Sequence, residues 1–229
     1  HLTPLSFLSL PCPSCDAYDA PEEHLYTNQI KPYHRAPHLL IGFPMRYVDR
    51  GWSESMHSLP ELEHRKMRSA SRPRYGTAVT DAQIMVSRDG VNFKRWAEAF
   101  FRPGIEREGT WNYGHHCIAW HIVETKSAIE GAPDELSLYS VESYWTGNSS
   151  AVRRYTLRMD GFVSVHANAN GGELFTRPVT FEGKSLFINF STSAAGGIRA
   201  ELQDEEGLPI PGFELEACNV VFGDAIERK

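Results

Sequence analysis

Hydrophobic and polar residues alternate with a period of two along most of the chain. Such alternation is typical of strands that turn one face to a core and the other to solvent. No segment has the apolar spacing of a sustained amphipathic helix. The pattern predicts an all-β protein with antiparallel sheets throughout. The predicted strands cover residues 25–30, 38–43, 81–87, 92–96, 117–124, 136–144, 150–157 and 162–167.

Two Asp-Gly pairs each separate two of these strands. They are Asp89-Gly90 and Asp160-Gly161. Glycine adopts a positive φ without steric cost, which the tight turn of a β-hairpin requires. Both pairs are therefore predicted to lie at hairpin turns.

Residues 49–76 interrupt the alternation. The stretch is polar and basic, and it holds no sustained strand pattern. We predict a long excursion in which helix is confined to short pieces, with one turn around residues 59–67. Long connections inside a compact domain are usually functional or disordered.

The sequence pattern changes after about residue 170, where glycines recur at roughly 8–15-residue intervals. Short strands separated by turns at this spacing are typical of a β-sandwich. We predict sandwich strands at residues 186–189, 198–202 and 213–215. We also expect Phe187, Phe190 and either Ile198 or Leu202 to be buried there.

The segment Ser87-Arg-Asp-Gly-Val-Asn-Phe93 resembles the S-x-D-G-x-x-[FW] hairpin of sugar-cleaving β-propellers. It is also close to the Asp-box of sialidases, with the glycine one place early. Its physical content is structural, because Asp89 can accept hydrogen bonds from turn amides while Phe93 packs between strands.

Three later segments resemble the propeller exit and the sandwich of invertase-like and arabinanase-like glycoside hydrolases. Residues 26–28 and 33–38 also resemble a bacterial group of these proteins. The resemblance implies a propeller-like domain with incomplete blades over residues 1–153 and a β-sandwich over residues 154–229. The three segments are Tyr155-Thr-Leu-Arg-Met-Asp-Gly-Phe162, Gly172-Glu-Leu-Phe-Thr-Arg-Pro178 and Gly207-Leu-Pro-Ile-Pro-Gly-Phe213.

The length before the sandwich is short for a propeller, which takes about 250 residues or more at ~40–50 per blade. The chain opens without Met and ends directly after an apolar run. We therefore expect either additional upstream chain or a domain that completes the propeller, or else a shorter relative without a propeller.

Composition narrows the range of partners. The net charge is −6, the pI is about 5.9, and basic residues form no stripe, so we expect no nucleic-acid partner. No apolar run reaches the ~18 residues of a membrane helix, so we expect no membrane partner. The first residues have no basic region of a signal peptide. A polysaccharide substrate nevertheless implies a secreted or periplasmic protein.

Cys12 and Cys15 form a C-x-x-C motif without a second pair of zinc ligands. A loop disulfide and two free thiols both remain open for this pair. The sequence also lacks a glycine-rich phosphate loop. We therefore expect no metal and no cofactor.

Glycoside hydrolysis needs two carboxyl groups, one to protonate the leaving oxygen and one to act as base or nucleophile. The candidates are Asp81, at the start of a predicted strand, and Glu142, in a strand flanked by aromatic residues. The structural alternative for each is a solvated strand carboxylate.

Two polar and aromatic clusters supply candidate substrate-binding residues. Arginine binds carboxylate or sulfate through two N–H groups, histidine can bond to sugar hydroxyls, and tryptophan stacks on sugar rings. The structural alternative for the arginine is binding to backbone carbonyls across a loop. The candidates are Arg35, His38, Trp111, His115, His116 and Trp145.

These observations lead to one hypothesis and two alternatives. The hypothesis is a glycoside hydrolase, or part of one, that acts on a poly- or oligosaccharide by carboxylate acid/base catalysis. The first alternative is a non-catalytic carbohydrate-binding or accessory β-module. The second is a structural partner in an assembly, because a partial propeller would expose strand edges.

Overall fold

The computed structural model describes residues 23–110, 114–144 and 150–228. The described residues form two compact units. We call residues 23–125 and 136–156 the larger unit, and residues 126–135 and 157–228 the smaller unit.

Most regular elements are strands, as predicted, and the sheets are mainly antiparallel. The elements in chain order are β1 (Glu23–Tyr26), β2 (Lys31–Tyr33), β3 (Ala36–Gly42), β4 (Met45–Val48), α1 (Glu54–His57), α2 (Leu62–Ser69), a 3-10 helix (Pro73–Gly76), β5 (Val79–Ala82), β6 (Met85–Ser87), β7 (Lys94–Arg95), β8 (Gly114–His115), β9 (Ile118–Thr125), β10 (Glu135–Glu142), β11 (Ala151–Arg158), β12 (Ile188–Ser191) and β13 (Asp224–Arg228).

The first eleven strands form three sheets. Two of these sheets have four strands, in the orders β1-β4-β5-β8 and β2-β3-β6-β7, and the third has the order β11-β10-β9. Strands β5 and β8 pair in parallel, which corrects the expectation that every pair is antiparallel. The pairs β1–β4, β2–β3, β3–β6, β4–β5 and β6–β7 are antiparallel.

The core of the larger unit comes from the apolar positions of these strands. Phe43, Ile118, Leu136 and Leu138 are fully buried. The ring of Phe43 also lies 5.5 Å from that of His121, whose Nε2 bonds to the Ile41 carbonyl at 3.1 Å. His121 is therefore part of the packed core.

The Asp89-Gly90 hairpin turn is confirmed. Strands β6 and β7 pair on either side of it, and Gly90 has a φ of +75°. Asp89 Oδ1 accepts hydrogen bonds from the amides of Val91 and Asn92 at 2.9 and 2.7 Å. Asp89 Oδ2 accepts one from the Asn92 side chain at 2.7 Å. The aspartate therefore supplies acceptors to the amides of its own turn.

Replacing Asp89 with asparagine is expected to destabilise this turn in a pH-dependent way. Bonds from Asn92, then Val91 and Ser87, hold the pKa of Asp89 well below its ordinary value. A lowered pKa stabilises the fold above the unfolded-state value of about 3.9, and this contribution is lost as the pH falls. The urea midpoint of Asp89→Asn should lie below that of wild type at pH 7.

The difference between the two midpoints should shrink as the pH falls below about 4. Exposed Glu98, changed to glutamine, is the control and should follow wild type at every pH. A gap between Asp89→Asn and wild type that does not depend on pH would contradict this explanation.

The Asp160-Gly161 pair also lies in a turn, in which the Gly161 amide donates to the Arg158 carbonyl at 3.0 Å. The predicted returning strand over residues 162–167 is wrong, because this stretch has no strand. Val163 and Val165 are 41 % and 59 % exposed, so the hydrophobic positions of this stretch are not covered as those of a strand would be.

The excursion over residues 49–76 contains all the helical elements of the described residues, as predicted. Helix α2 faces the 3-10 helix, and fully buried Arg65 joins them by donating from Nη1 to the Gly76 carbonyl at 3.2 Å. None of these helices is long and apolar enough to cross a bilayer.

Gly76 lies where the backbone of α2 comes closest. A Cβ built there would meet Ser69 Oγ at 2.3 Å and the Arg65 carbonyl oxygen at 2.4 Å. Gly76→Ala is therefore expected to cost about 1–3 kcal/mol of unfolding free energy, as overpacking does. Gly104→Ala is the matched control, because a Cβ there meets no atom within 4 Å. Equal urea midpoints for both variants would refute the prediction.

The smaller unit contains the antiparallel pair β12 and β13 together with isolated bridges. Phe190 is buried as expected. Ile198 and Leu202 are only half-buried, so the expectation that one of them is buried is wrong. Phe187 is 44 % exposed, so its predicted burial is wrong. Residues 198–202 and 213–215 form no strand, although Ile198 makes a bridge to Val221.

Candidate functional site

An open cavity of about 570 Å³ lies in the larger unit. One wall is the loop 102–110, and the others come from residues 141–144, from β11 and from the residue after β8. The lining residues with charged side chains are Arg102, Arg107, Glu142 and Arg153, and those with other hydrogen-bonding side chains are Thr110, His116, Ser143, Tyr144 and Tyr155.

Glu142 is held by two side chains from the neighbouring strand. Its Oε1 accepts a hydrogen bond from Tyr155 Oη at 2.5 Å, and its Oε2 accepts one from Arg153 Nε at 2.7 Å. Arg153 and Tyr155 are two residues apart in β11, so they share one face, and β10 is adjacent. Two side chains on one face of β11 therefore bind a carboxylate of the adjacent strand β10.

These contacts set the charge of the pair. Burial alone would raise the pKa of Glu142, but the hydrogen bonds from Tyr155 and Arg153 and the Arg153 charge outweigh it and lower the pKa. Burial and the bond to Glu142 raise the pKa of Tyr155 to about 12. At neutral pH, Glu142 is therefore an ionised acceptor and Tyr155 a protonated donor.

His116 contributes a buried nitrogen to the cavity. The residue is 8 % exposed, and its Nδ1 has no hydrogen-bond partner among the described residues. Burial lowers the pKa of His116, although the charges of Glu142 and Asp81 act to raise it. The imidazole is therefore neutral at pH 7, and its Nδ1 donates or accepts a hydrogen bond depending on the tautomer.

Asp81 lies in β5, directly opposite Arg46 in β4. Arg46 Nε and Nη2 donate to its two carboxylate oxygens at 2.9 and 2.7 Å. Asp81 is buried and is not among the described residues that line the cavity, although its charge acts on His116. The two candidate carboxyl groups therefore both influence His116, but Glu142 alone reaches the cavity wall.

The other candidates are spread more widely. Arg35 lies in the exposed turn between β2 and β3, and exposed His38 lies in β3; neither lines the cavity. The side chains of Trp111, His115 and Trp145 lie outside the described residues, as do Cys12 and Cys15.

Of the residues that line the cavity, the sequence predicted only His116 and Glu142 as site residues. Among those that it missed are Arg102, Arg107, Arg153 and Tyr155. Two of them could have been found from the sequence. Pairing the neighbouring predicted strands 136–144 and 150–157 places the end of one near the start of the next, and hence Glu142 near β11. The loop arginines carry no such signal, because a loop has no periodicity.

The loop 102–110 is anchored to the excursion through Glu106. Glu106 Oε1 accepts hydrogen bonds from Arg65 Nη2 at 3.1 Å and from Arg50 Nη2 at 3.2 Å. The Gly109 amide donates to Glu61 Oε1 at 2.8 Å. The basic excursion therefore supports one wall of the cavity.

The described residues contain no group of three or more His, Cys, Asp or Glu side chains placed to hold a metal ion. Comparison with known proteins gave no match to a family model, to a curated protein or to a solved structure.

Proposed function

We propose that the chain is a glycoside hydrolase, or part of one, that acts on a poly- or oligosaccharide at this cavity. The architecture that we propose with it is a partial propeller followed by a β-sandwich, and the location is secreted or periplasmic. The observation that carries the proposal is the ionised Glu142 carboxylate at the cavity wall, held by Tyr155 and Arg153.

Glu142 has the charge of the carboxylate that acts as base or nucleophile. Each carboxylate oxygen offers more than one acceptor direction, so the bonds to Tyr155 and Arg153 leave capacity for a substrate or a water. We propose Glu142 as this group and Asp81 as the second carboxyl group. In this proposal His116, with its buried Nδ1, binds a sugar hydroxyl.

A non-catalytic carbohydrate-binding module is the second candidate, and one observation favours it. Among the described residues, Glu142 is the single carboxylate of the cavity lining, while Asp81 is occupied by Arg46. Binding of a sugar needs polar groups and an apolar wall but no pair of carboxyl groups.

The test is a panel of polysaccharides on which hydrolysis and binding are measured in parallel. Wild type is compared with Asp81→Asn, and with Arg46→Met, which breaks the same ion pair without touching the carboxyl group. A catalytic Asp81 predicts that Asp81→Asn loses hydrolysis while Arg46→Met keeps more of it. Equal losses in both variants would assign Asp81 a structural role. Binding by wild type without hydrolysis of any member would favour the binding module.

A further inference from the structure

We infer that the cavity recognises a sugar that carries an anionic group, a carboxylate or a sulfate, through Arg102 and Arg107. The inference rests on the proposed carbohydrate function and adds the class of substrate. Its basis is the positive charge of the cavity lining, the exposure of these two guanidinium groups and the buried nitrogen of His116.

The cavity is positive although the protein is acidic. Three arginines line it against one carboxylate, so its described lining carries a net charge of 3 − 1 = +2 when His116 is neutral. The whole chain has a net charge of −6. The positive charge is therefore a local property of this site.

Two of the three guanidinium groups are available to a ligand. The side chains of Arg102 and Arg107 are exposed and make no ion pair or hydrogen bond to another described residue. Arg153 uses its Nε on Glu142, so one of the three positive charges is already balanced. A guanidinium matches the geometry of carboxylate and sulfate through two parallel N–H groups.

Exposed arginines alone would be an ordinary solvated surface, but His116 marks the site as one that receives a ligand. A buried polar nitrogen nearly always has a partner, and Nδ1 of His116 has none among the described residues. In this inference a sugar hydroxyl satisfies this nitrogen, and an acidic group of the same ligand pairs with the arginines of the loop 102–110, which lines the same cavity.

The experiment uses matched pairs of ligands that differ only in charge. One pair is an oligogalacturonate and its methyl ester, and the other is a sulfated galactan oligosaccharide and its desulfated form. Calorimetry measures the affinity of each for wild type, for Arg102→Gln/Arg107→Gln and for the control Arg88→Gln. Arg88 is an exposed arginine of the β6–β7 turn that does not line the cavity.

We expect wild type to bind the charged member of at least one pair about tenfold or more tightly than its neutral form, since hydrogen bonds between a guanidinium and an anionic group are stronger than those between neutral groups. The double variant should lose most of that preference, and Arg88→Gln should keep it. The pair that shows the preference identifies the group as carboxylate or sulfate. Raising the salt concentration should weaken the preference, because these arginines are exposed.

Three results would overturn the inference: equal affinity for charged and neutral members, a double variant that keeps the preference, or equally tight binding of a single-stranded oligonucleotide. Hydrolysis of the same ligands separates this inference from the proposed function. Cleavage without a charge preference would refute the inference and support the hydrolase. A charge preference without cleavage would support the inference and favour the binding module.

Discussion

Glu142→Gln is expected to lower the rate of hydrolysis by about 10²–10⁴-fold, the usual contribution of a positioned base. Glutamine keeps the shape of the side chain and can still accept the hydrogen bond from Tyr155 Oη. It loses the negative charge that pairs with Arg153, whose side chain is mainly exposed, so the fold should lose little stability. The measurement is kcat/KM on a substrate that the panel identifies.

The pH profile should report the same group. A base must be ionised, so activity is lost as the pH falls through the pKa of Glu142, which lies below its ordinary value of 4.5. Tyr155→Phe removes one of the hydrogen bonds that lower this pKa. The acid limb of the profile should therefore move to higher pH in Tyr155→Phe, and a purely structural role of Tyr155 would not move it.

Tyr139→Phe is the control for these variants. Tyr139 lies in β10, the strand that carries Glu142, and it is partly exposed and does not line the cavity. Its rate and its acid limb should match those of wild type. Full activity in Glu142→Gln would remove this residue from the mechanism, and unfolding of the variant would show as a changed circular dichroism spectrum.

Local patterns predicted β3, β6, β9, β10 and β11, because alternation and Asp-Gly turns are properties of short segments. The β6–β7 hairpin follows directly from such a pattern. The stretch after Gly161 has the same alternation at Val163 and Val165, yet both side chains are exposed. A strand also needs a neighbouring strand to pair with, and the sequence of the segment alone does not predict whether that neighbour exists.

The environment of the candidate carboxylates depends on register, which is a long-range property. Asp81 could be recognised as a strand carboxylate, but Arg46, which binds it, lies 35 residues earlier in the chain. The pairing of β4 with β5 places the two side chains opposite each other. A sequence pattern fixes neither the order of strands in a sheet nor their offset, so this ion pair was not predictable.

In the excursion, likewise, the sequence does not show which basic side chain is buried. Its six basic residues look alike in the sequence, and all suggest a solvated surface. In the structure Arg65 is fully buried and Lys66, next to it on α2, is exposed. The helical period separates adjacent side chains by about 100°, so neighbours can have opposite environments. Contacts between α2 and the loop 102–110, such as the hydrogen bond from Arg65 to Glu106, determine which side chain is buried.

Arg65→Met is expected to destabilise the larger unit by about 3–5 kcal/mol, the cost of breaking a buried ion pair by removing one partner. Arg65 donates to the carbonyls of Pro60 and Gly76 at 3.0 and 3.2 Å and to Glu106 at 3.1 Å. Methionine fills much of the same volume but leaves all three acceptors without this donor. Burial already lowers the pKa of Arg65, and the charge of Glu106 opposes this.

Urea unfolding followed by tryptophan fluorescence measures this loss in the larger unit, because all five tryptophans of the chain fall within residues 23–125 and 136–156. Lys66→Met is the matched control: it removes an exposed charge whose ion pair with Glu63 contributes little. Because Glu106 anchors the loop that carries Arg102 and Arg107, Arg65→Met should also weaken ligand binding below the unfolding transition. Equal midpoints for Arg65→Met and Lys66→Met would show that the buried arginine does not stabilise the excursion.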